Sequence, residues 1–279
     1  MLKTSTKLSL ARIISRLFLS SRHLMRLPAE VIAVRNNVTW HLNLDEGIDL
    51  ALYLGVFEPT TTRTYRKLLK EGDTVIDVGA NIGAHALPAA TIVGSTGTVV
   101  AVEPTQYAFN KMLRNIELNP DIAEAILPKQ MFASAPAKSV VPDTLFSSWK
   151  LSSNTDIHHE HGGTAKETKG ATASTLDTLA TDLDLNEVTL IKIDVDGFEY
   201  DVLTGAAGTI EKYRPAIIIE IAPYVLKPNN VTPAELVDLL KSFGYRLLFE
   251  HNHDEISEPL KYFESLPDGS GINILAVPI

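Results

Sequence analysis

Asp77-Val78-Gly79-Ala80-Asn81-Ile82-Gly83 follows a short β-branched run, Thr74-Val75-Ile76, and leads into the apolar stretch Ala86-Leu87 and Ala89 to Val93. The first run is what a buried parallel strand presents, and the second reads as the start of a helix. A glycine-rich turn between strand and helix lets a ligand approach the backbone and aims free N–H groups at it. A second buried run, Val99 to Val102, ends in Glu103-Pro104. An acid at that place, about twenty positions beyond the glycines, can accept hydrogen bonds from ribose hydroxyls. A pyrophosphate cradle needs G-x-G-x-x-G, whereas Asn81 takes its middle position and Gly83 comes one residue early. The turn therefore suits a nucleoside better than a dinucleotide, which disfavours hydride transfer from a nicotinamide cofactor.

These residues need a sheet to hold them. Strands are predicted at Thr74–Val78, Val99–Val102, within Ala125–Ala133, and at Leu190–Asp194, Ala216–Glu220, Tyr245–Glu250 and Ile272–Val277. Helices are predicted from about Ala84 to Val93, Tyr107 to Leu118, Phe198 to Tyr213 and Pro233 to Phe243, the last with proline in its first turn. Alternation of strand and helix implies a parallel sheet with right-handed crossovers. The last two strands, joined without a helix, imply an antiparallel pair at the edge. Ahead of the sheet, Val31 to Leu44 alternates around Asn36-Asn37 as a hairpin does, and Thr60 to Leu69 reads as a helix. Between Ser134 and Ala173 the pattern gives way to Ser, Thr, Gly, His and Pro, and so long a structureless stretch inside a domain is usually functional.

With 279 residues, 45% hydrophobic and 21% charged, the chain can fill the core of one large α/β domain. It has no cysteine, which rules out disulfides, thiolate metal sites and a cysteine nucleophile and fits a reducing compartment such as the cytoplasm. The net charge of −9 argues against a nucleic acid partner held on a broad basic face. The charge is uneven: up to Arg35 there are seven basic residues against Glu30 alone. Residues 1–30 thus form a basic amphipathic extension ahead of a domain at 31–279, whose first part, 31–72, caps it. Arginines interrupt the apolar positions too often for a membrane span. Three readings stay open for residues 1–26: a helix packed on the domain, a helix on an anionic membrane surface, or a targeting presequence.

The Asp77-x-Gly79-x-Asn81-x-Gly83 pattern resembles motif I of class I methyltransferases, which bind S-adenosylmethionine. From about Val34 onward the chain resembles the FkbM family of these enzymes. The likeness rests further on Gly83-Ala84-His85 with Leu87-Pro88, Val102-Glu103-Pro104 and Arg114-Asn115-Ile116-Glu117-Leu118-Asn119. Ser174-Thr175-Leu176-Asp177 and Ile191-Lys192-Ile193-Asp194-Val195-Asp196-Gly197-Phe198-Glu199 complete it, with Asp196 where the family usually has glutamate. The resemblance implies a Rossmann-like α/β fold: a mostly parallel seven-stranded sheet with an antiparallel edge strand and helices on both faces. It also implies methylation of hydroxyl oxygens on sugars or related natural products. By the same resemblance Asp77, Gly79, Ala80, Asn81 and Gly83 would line the methionine and ribose of S-adenosylmethionine. Glu103, with Pro104, would hold the ribose, and Ala133 and Ser134 would flank the adenine. Glu58 would close over the methionine end, and Asp194 would hydrogen-bond its amino group.

An alcohol is a poor nucleophile while protonated, so a positioned base would help, and ligands in such sheets sit at the carboxyl ends of strands. Asp194, Asp196 and His85 are the candidates, with Glu199 and Glu220 also at strand ends. Against these roles, Asp196 and Glu199 could simply complement the dipole of the helix that follows, and Glu220 could serve buried backbone. His158, His159 and His161 beside Asp156 and Glu160 look like metal ligands, but they lack helical spacing. The preferred reading is a loop closing over the acceptor, with no metal. The expected activity is O-methylation of a saccharide, glycolipid or related small molecule. N- or carboxyl-methylation, and a sensor or scaffold that binds S-adenosylmethionine without turnover, remain alternatives.

Overall fold

Asn36 and Asn37 both adopt positive φ, 51° and 62°, as a two-residue hairpin turn demands. They join β1 (Glu30–Arg35) to β2 (Val38–Asn43), in the hairpin expected from the alternation. The structure is a computed structural model and describes residues 22, 24–25, 28–147 and 164–279. The basic extension therefore lies outside the described residues apart from Arg22, Leu24, Met25 and the stretch from Pro28, and the histidines at 158, 159 and 161 lie outside them too. After the hairpin come α1 (Gly47–Leu54), α2 (Pro59–Leu68), β3 (Thr74–Val78), α3 (Ala86–Val93), β4 (Thr98–Val102), α4 (Gln106–Glu117) and α5 (Pro120–Ala123). β5 (Ile126–Lys129), β6 (Met131–Ala133), β7 (Thr144–Ser147), β8 (Thr164–Glu167), β9 (Thr172–Ser174) and α6 (Leu176–Asp182) follow. The chain closes with β10 (Leu190–Ile193), α7 (Glu199–Thr204), α8 (Ala207–Tyr213), β11 (Ala216–Ile221), α9 (Pro223–Leu226), α10 (Pro233–Ser242), β12 (Tyr245–Phe249), α11 (Pro259–Glu264) and β13 (Ile272–Pro278).

Seven of these strands form one sheet in the order β12-β13-β11-β10-β3-β4-β5. All run parallel except β13, which is antiparallel to both β11 and β12. This is the mostly parallel, Rossmann-like arrangement that the resemblance implies. The reversed strand is the inner member of the edge pair, and the short helix α11 joins β12 to it where none is expected from the sequence. Successive residues of β3 point to opposite faces, so Val75 packs with α3 and the hairpin while Ile76 and Val78 pack with α7, α8 and α10. Chain order reverses between β3 and β10, and the crevice beyond the carboxyl ends at such a switch is where open α/β sheets bind ligands.

Three further differences have local causes. The third strand is two: β5 belongs to the sheet, whereas β6 leaves it to pair with β9. The helix expected over Phe198–Tyr213 breaks at Gly205, where a Cβ would lie 2.2 Å from the Ser134 carbonyl. Inside the apparently patternless stretch, β7 and β8 pair antiparallel, and α6 starts just beyond it, with the Thr175 hydroxyl accepting from the Thr178 N–H at 3.0 Å.

The asparagines of the Arg114–Asn119 run fasten the hairpin to the sheet. Asn115 Oδ1 accepts from the His41 N–H at 2.8 Å, and its Nδ2 donates to the Ile82 carbonyl at 3.0 Å. One turn on, Asn119 accepts from the Thr39 N–H at 2.8 Å and returns a bond to the Thr39 carbonyl at 2.7 Å. Together they act as a short extra strand beside β2, and Asn115 is wholly buried. Asn115→Ala leaves a buried donor and acceptor unpaired and should lower the unfolding free energy by about 2–3 kcal/mol. Urea unfolding checks this, and Asn119→Ala, on a less buried pair, should cost less.

Candidate active site

The turn after β3 is built by close backbone contacts. Gly79 has φ 85°, and a Cβ there would sit 1.9 Å from the Asp194 carbonyl oxygen, so only glycine fits. The Gly79 and Ala80 N–H groups donate to the Val102 carbonyl at 3.0 and 2.9 Å, which binds the turn to the end of β4. Asn81, at φ 52°, points its own N–H at Glu103 Oε2, 3.0 Å away. The other Glu103 oxygen accepts from the Thr105 N–H at 2.9 Å and from the Thr105 hydroxyl. Burial raises the Glu103 pKa even though these bonds favour the ionised form.

A cleft opens beyond this turn. Phe132 and Phe198, edge to face at 5.1 Å, form one wall, and Leu145, Phe146 and Ser147 of β7 form another. Asn81 Nδ2 donates to Ser147 Oγ at 3.1 Å and links turn to wall. Among the described residues, the charged groups lining the cleft are Glu103, Asp194 and Asp196, all carboxylates. Asp196 sits at φ 49° and is exposed to the cleft, and its desolvating surroundings with the charges of Asp194, Glu199 and Glu103 push its pKa upward. Glu199 braces this loop: it accepts from the N–H groups of Val195 (3.1 Å) and Gly197 (3.1 and 3.2 Å), and burial pushes its pKa up to about 7.

Behind the cleft lies a buried charge cluster. Lys192 is 1% exposed, and its Nζ lies 2.8 Å from Asp194 Oδ2. Burial opposes its charge, but Asp194, Glu58 and Asp77 outweigh that and raise its pKa. Asp77 is fully buried, and neither carboxylate oxygen has a hydrogen-bond partner. Burial raises its pKa, against the opposing charges of Lys192 and His85. Glu58, at φ 32° ahead of α2, faces His85 Nε2 at 2.8 Å. Burial works to raise its pKa, but the His85 bond and the charges of His85 and Lys192 hold it well below the usual carboxylate range.

Of the residues singled out in the sequence, Gly79, Asn81, Glu103, Pro104, Ala133, Asp194 and Asp196 line the cleft together. Asp77, Ala80, Gly83, His85 and Glu58 stand behind or beside it. Ser134 turns away, donating its hydroxyl to the Lys138 carbonyl at 2.9 Å. Sequence reasoning gave no site role to Thr105, Phe132, Phe146, Ser147, Phe198 or Lys192. Two signals were readable: Lys192 is the one charge inside a β-branched run, and Phe198 follows the Asp-Gly turn.

Residues 77–247 match the family model described as the methyltransferase FkbM domain. The chain belongs to this family. The methyl donor of the FkbM enzymes is S-adenosylmethionine. The chain is 28% identical over 165 residues to the hexuronic acid methyltransferase AglP of Haloferax volcanii, a match covering 58% of this chain and 61% of that relative. The match thus spans less than two thirds of AglP. Similar solved structures include an FkbM methyltransferase from Methylobacillus flagellatus, with TM-score 0.44, 15% identity and coverage of 82% of this chain and 54% of that one. Another is an O-methyltransferase from Thermotoga maritima, with TM-score 0.43, 14% identity and coverage of 83% and 71%. No helix among the described residues is long and apolar enough to cross a membrane.

The raised Glu199 pKa gives this FkbM protein a readable pH signature. Between its ordinary value of 4.5 and about 7 the folded state keeps a proton that the unfolded chain has lost. Unfolding then releases a proton, so the Glu199 contribution is complete below pH 4.5 and fades as pH rises through 7. The stability of wild type relative to Glu199→Gln should therefore fall by on the order of 3 kcal/mol across that window. Urea midpoints measured at pH 4.5 and 7.5 check the sign.

Proposed function

We propose that this protein transfers a methyl group from S-adenosylmethionine to a hydroxyl of a saccharide, glycolipid or related small molecule. One observation carries the reading: the described charges lining the cleft are all carboxylates, which disfavour a diphosphate and suit a cationic sulfonium. When bound, S-adenosylmethionine supplies an activated methyl on positively charged sulfur. Glu103, already aimed by the Asn81 N–H and Thr105, holds the ribose hydroxyls, with Pro104 beside it. Phe132 and Phe198 supply flat apolar walls for the adenine, next to Ala133. Asp194, paired with Lys192 at 2.8 Å, attracts the methionine ammonium.

For the acceptor, the protein's chief task is to align oxygen with the methyl and exclude water, which can supply about 7–11 kcal/mol of the barrier. Asp196 is the proposed base, because it faces the cleft and its crowded setting moves its pKa toward the working range. His85, paired with Glu58, fixes the charge pattern at the far end of the turn. The saccharide class draws support from AglP, whose name gives its substrate as a hexuronic acid. Hydroxyl methylation is preferred over nitrogen or carboxyl acceptors because a base is at hand.

Calorimetry with S-adenosylhomocysteine, followed by release of that product from S-adenosylmethionine and a glycoside panel, tests the proposal. Binding without release under any acceptor would favour a sensor or scaffold. Asp196→Asn should lower kcat by about 10²–10⁴ while leaving the Kd for S-adenosylhomocysteine within about threefold. Glu103→Ala should instead weaken that Kd at least about tenfold, since two hydrogen bonds to a charged group are lost.

A further inference from the structure

A second cavity, of about 300 Å³, opens between the start of α2 and the carboxyl ends of β11 and β12. We propose that it receives an uncharged polyhydroxylated acceptor and rejects the acidic counterpart of the same sugar. The inference rests on the methyl-transfer reading above and names the acceptor chemistry of that site. Glu58, Thr61, Glu220, Glu250, Gly271 and Asn273 are the lining residues that matter. Glu250 is 5% exposed, and its Oε1 has no hydrogen-bond partner, so a buried acceptor atom waits at the wall of an open space. Gly271 leaves room for the Glu220 carboxyl, because a Cβ there would lie 2.4 Å from Glu220 Oε1. Glu58 accepts from Asn273 Nδ2 at 3.3 Å and from the Thr61 hydroxyl at 3.4 Å.

The cavity adjoins the donor cleft. The Lys192 charge acts on Glu58, which lines the one, and on Asp194, which lines the other. The cations near the cavity have other engagements, beginning with His85, which is buried with its Nε2 2.8 Å from Glu58 Oε2. Lys192 is buried against Asp194, and the Arg63 guanidinium donates to the Pro59 carbonyl and the Thr60 hydroxyl, both at 3.2 Å. His251 lies at the exposed rim beside the Phe249 ring, 5.7 Å away. A carboxylate on the acceptor would therefore face three glutamates with no inward cation among the described residues. A hydroxyl instead finds acceptor oxygens at the cavity wall, with the unpartnered Glu250 Oε1 among them. Glu58 is held ionised and accepts.

The test uses the full chain and two probes that differ only at C6: methyl glucopyranoside and methyl glucopyranosiduronate. Ligand-observed NMR titrations are run with and without S-adenosylhomocysteine. The neutral glycoside should bind at least tenfold tighter than the uronate. Glu220→Gln and Glu250→Gln, each confirmed folded by its melting curve, should reduce that preference to threefold or less. Asn273→Lys, which adds an inward cation by a different route, should reverse it. Equal or tighter uronate binding, no binding of either sugar, or a preference unmoved by the folded variants would overturn the proposal. Failure of S-adenosylhomocysteine itself to bind would strike the methyl-transfer reading, and the titration without it still judges the cavity alone.

Discussion

One buried ammonium makes the site tenable. Lys192 is bonded to Asp194, and its charge also favours the ionised forms of Glu58, Asp77, Asp196 and Glu250. Without it, carboxylates from β3, β10, β12 and the start of α2 would converge on one end of a sheet with only His85 to offset them. A buried ion pair is weak evidence for stability, since desolvation consumes much of the Coulombic gain. Its value here is positional: it lets negative groups be held close together in a dry place, where they act on a ligand more strongly than they would in water.

The backbone imposes a second constraint that agrees with the first. The Asp194 carbonyl occupies the space a side chain at residue 79 would need, so the backbone beyond β3 packs directly on the backbone beyond β10. That contact brings the turn carrying Asn81 against Glu103 on one side and the loop carrying Asp196 on the other. Glu103 is already oriented by protein donors, and Glu199 ties down the loop through three backbone contacts. A ligand entering this cleft has little backbone left to order, which is the condition for using binding energy on alignment.

What could be read in the sequence follows from how local each interaction is. The strand–turn–helix at Asp77–Gly83, the acid ending β4 and the Asn36-Asn37 hairpin all depend on neighbours within a few positions, and all three stand where expected. Asn115 and Asn119 were visible as a motif, but their task of bonding β2 was not, because their partners lie more than seventy residues away. Separation in the sequence also hid the Glu58–His85 pair, whose members lie 27 residues apart, and the approach of Glu58 and Asp77 to Lys192. β7 escaped notice because a four-residue strand with two exposed positions leaves almost no periodicity. α6 was legible in principle, through Thr175 as its cap and Leu176, Leu179 and Ala180 on one face.

The two cavities show why the acids are graded and not uniform. Glu58, under the direct influence of His85 and Lys192, is kept ionised, while Glu220, farther from any cation and crowded by Asp194, Asp196, Glu199 and Glu58, is pushed the other way. One cation in the dividing wall thus favours the ionised form of the acid nearest it. Under the proposed function the cationic donor is drawn to the carboxylates of the cleft, and the acceptor hydroxyl meets acceptor oxygens in the second cavity. On that reading, loss of the methyl removes the sulfonium charge, and the wall of Glu103, Asp194 and Asp196 that gathered the donor retains the spent product less firmly.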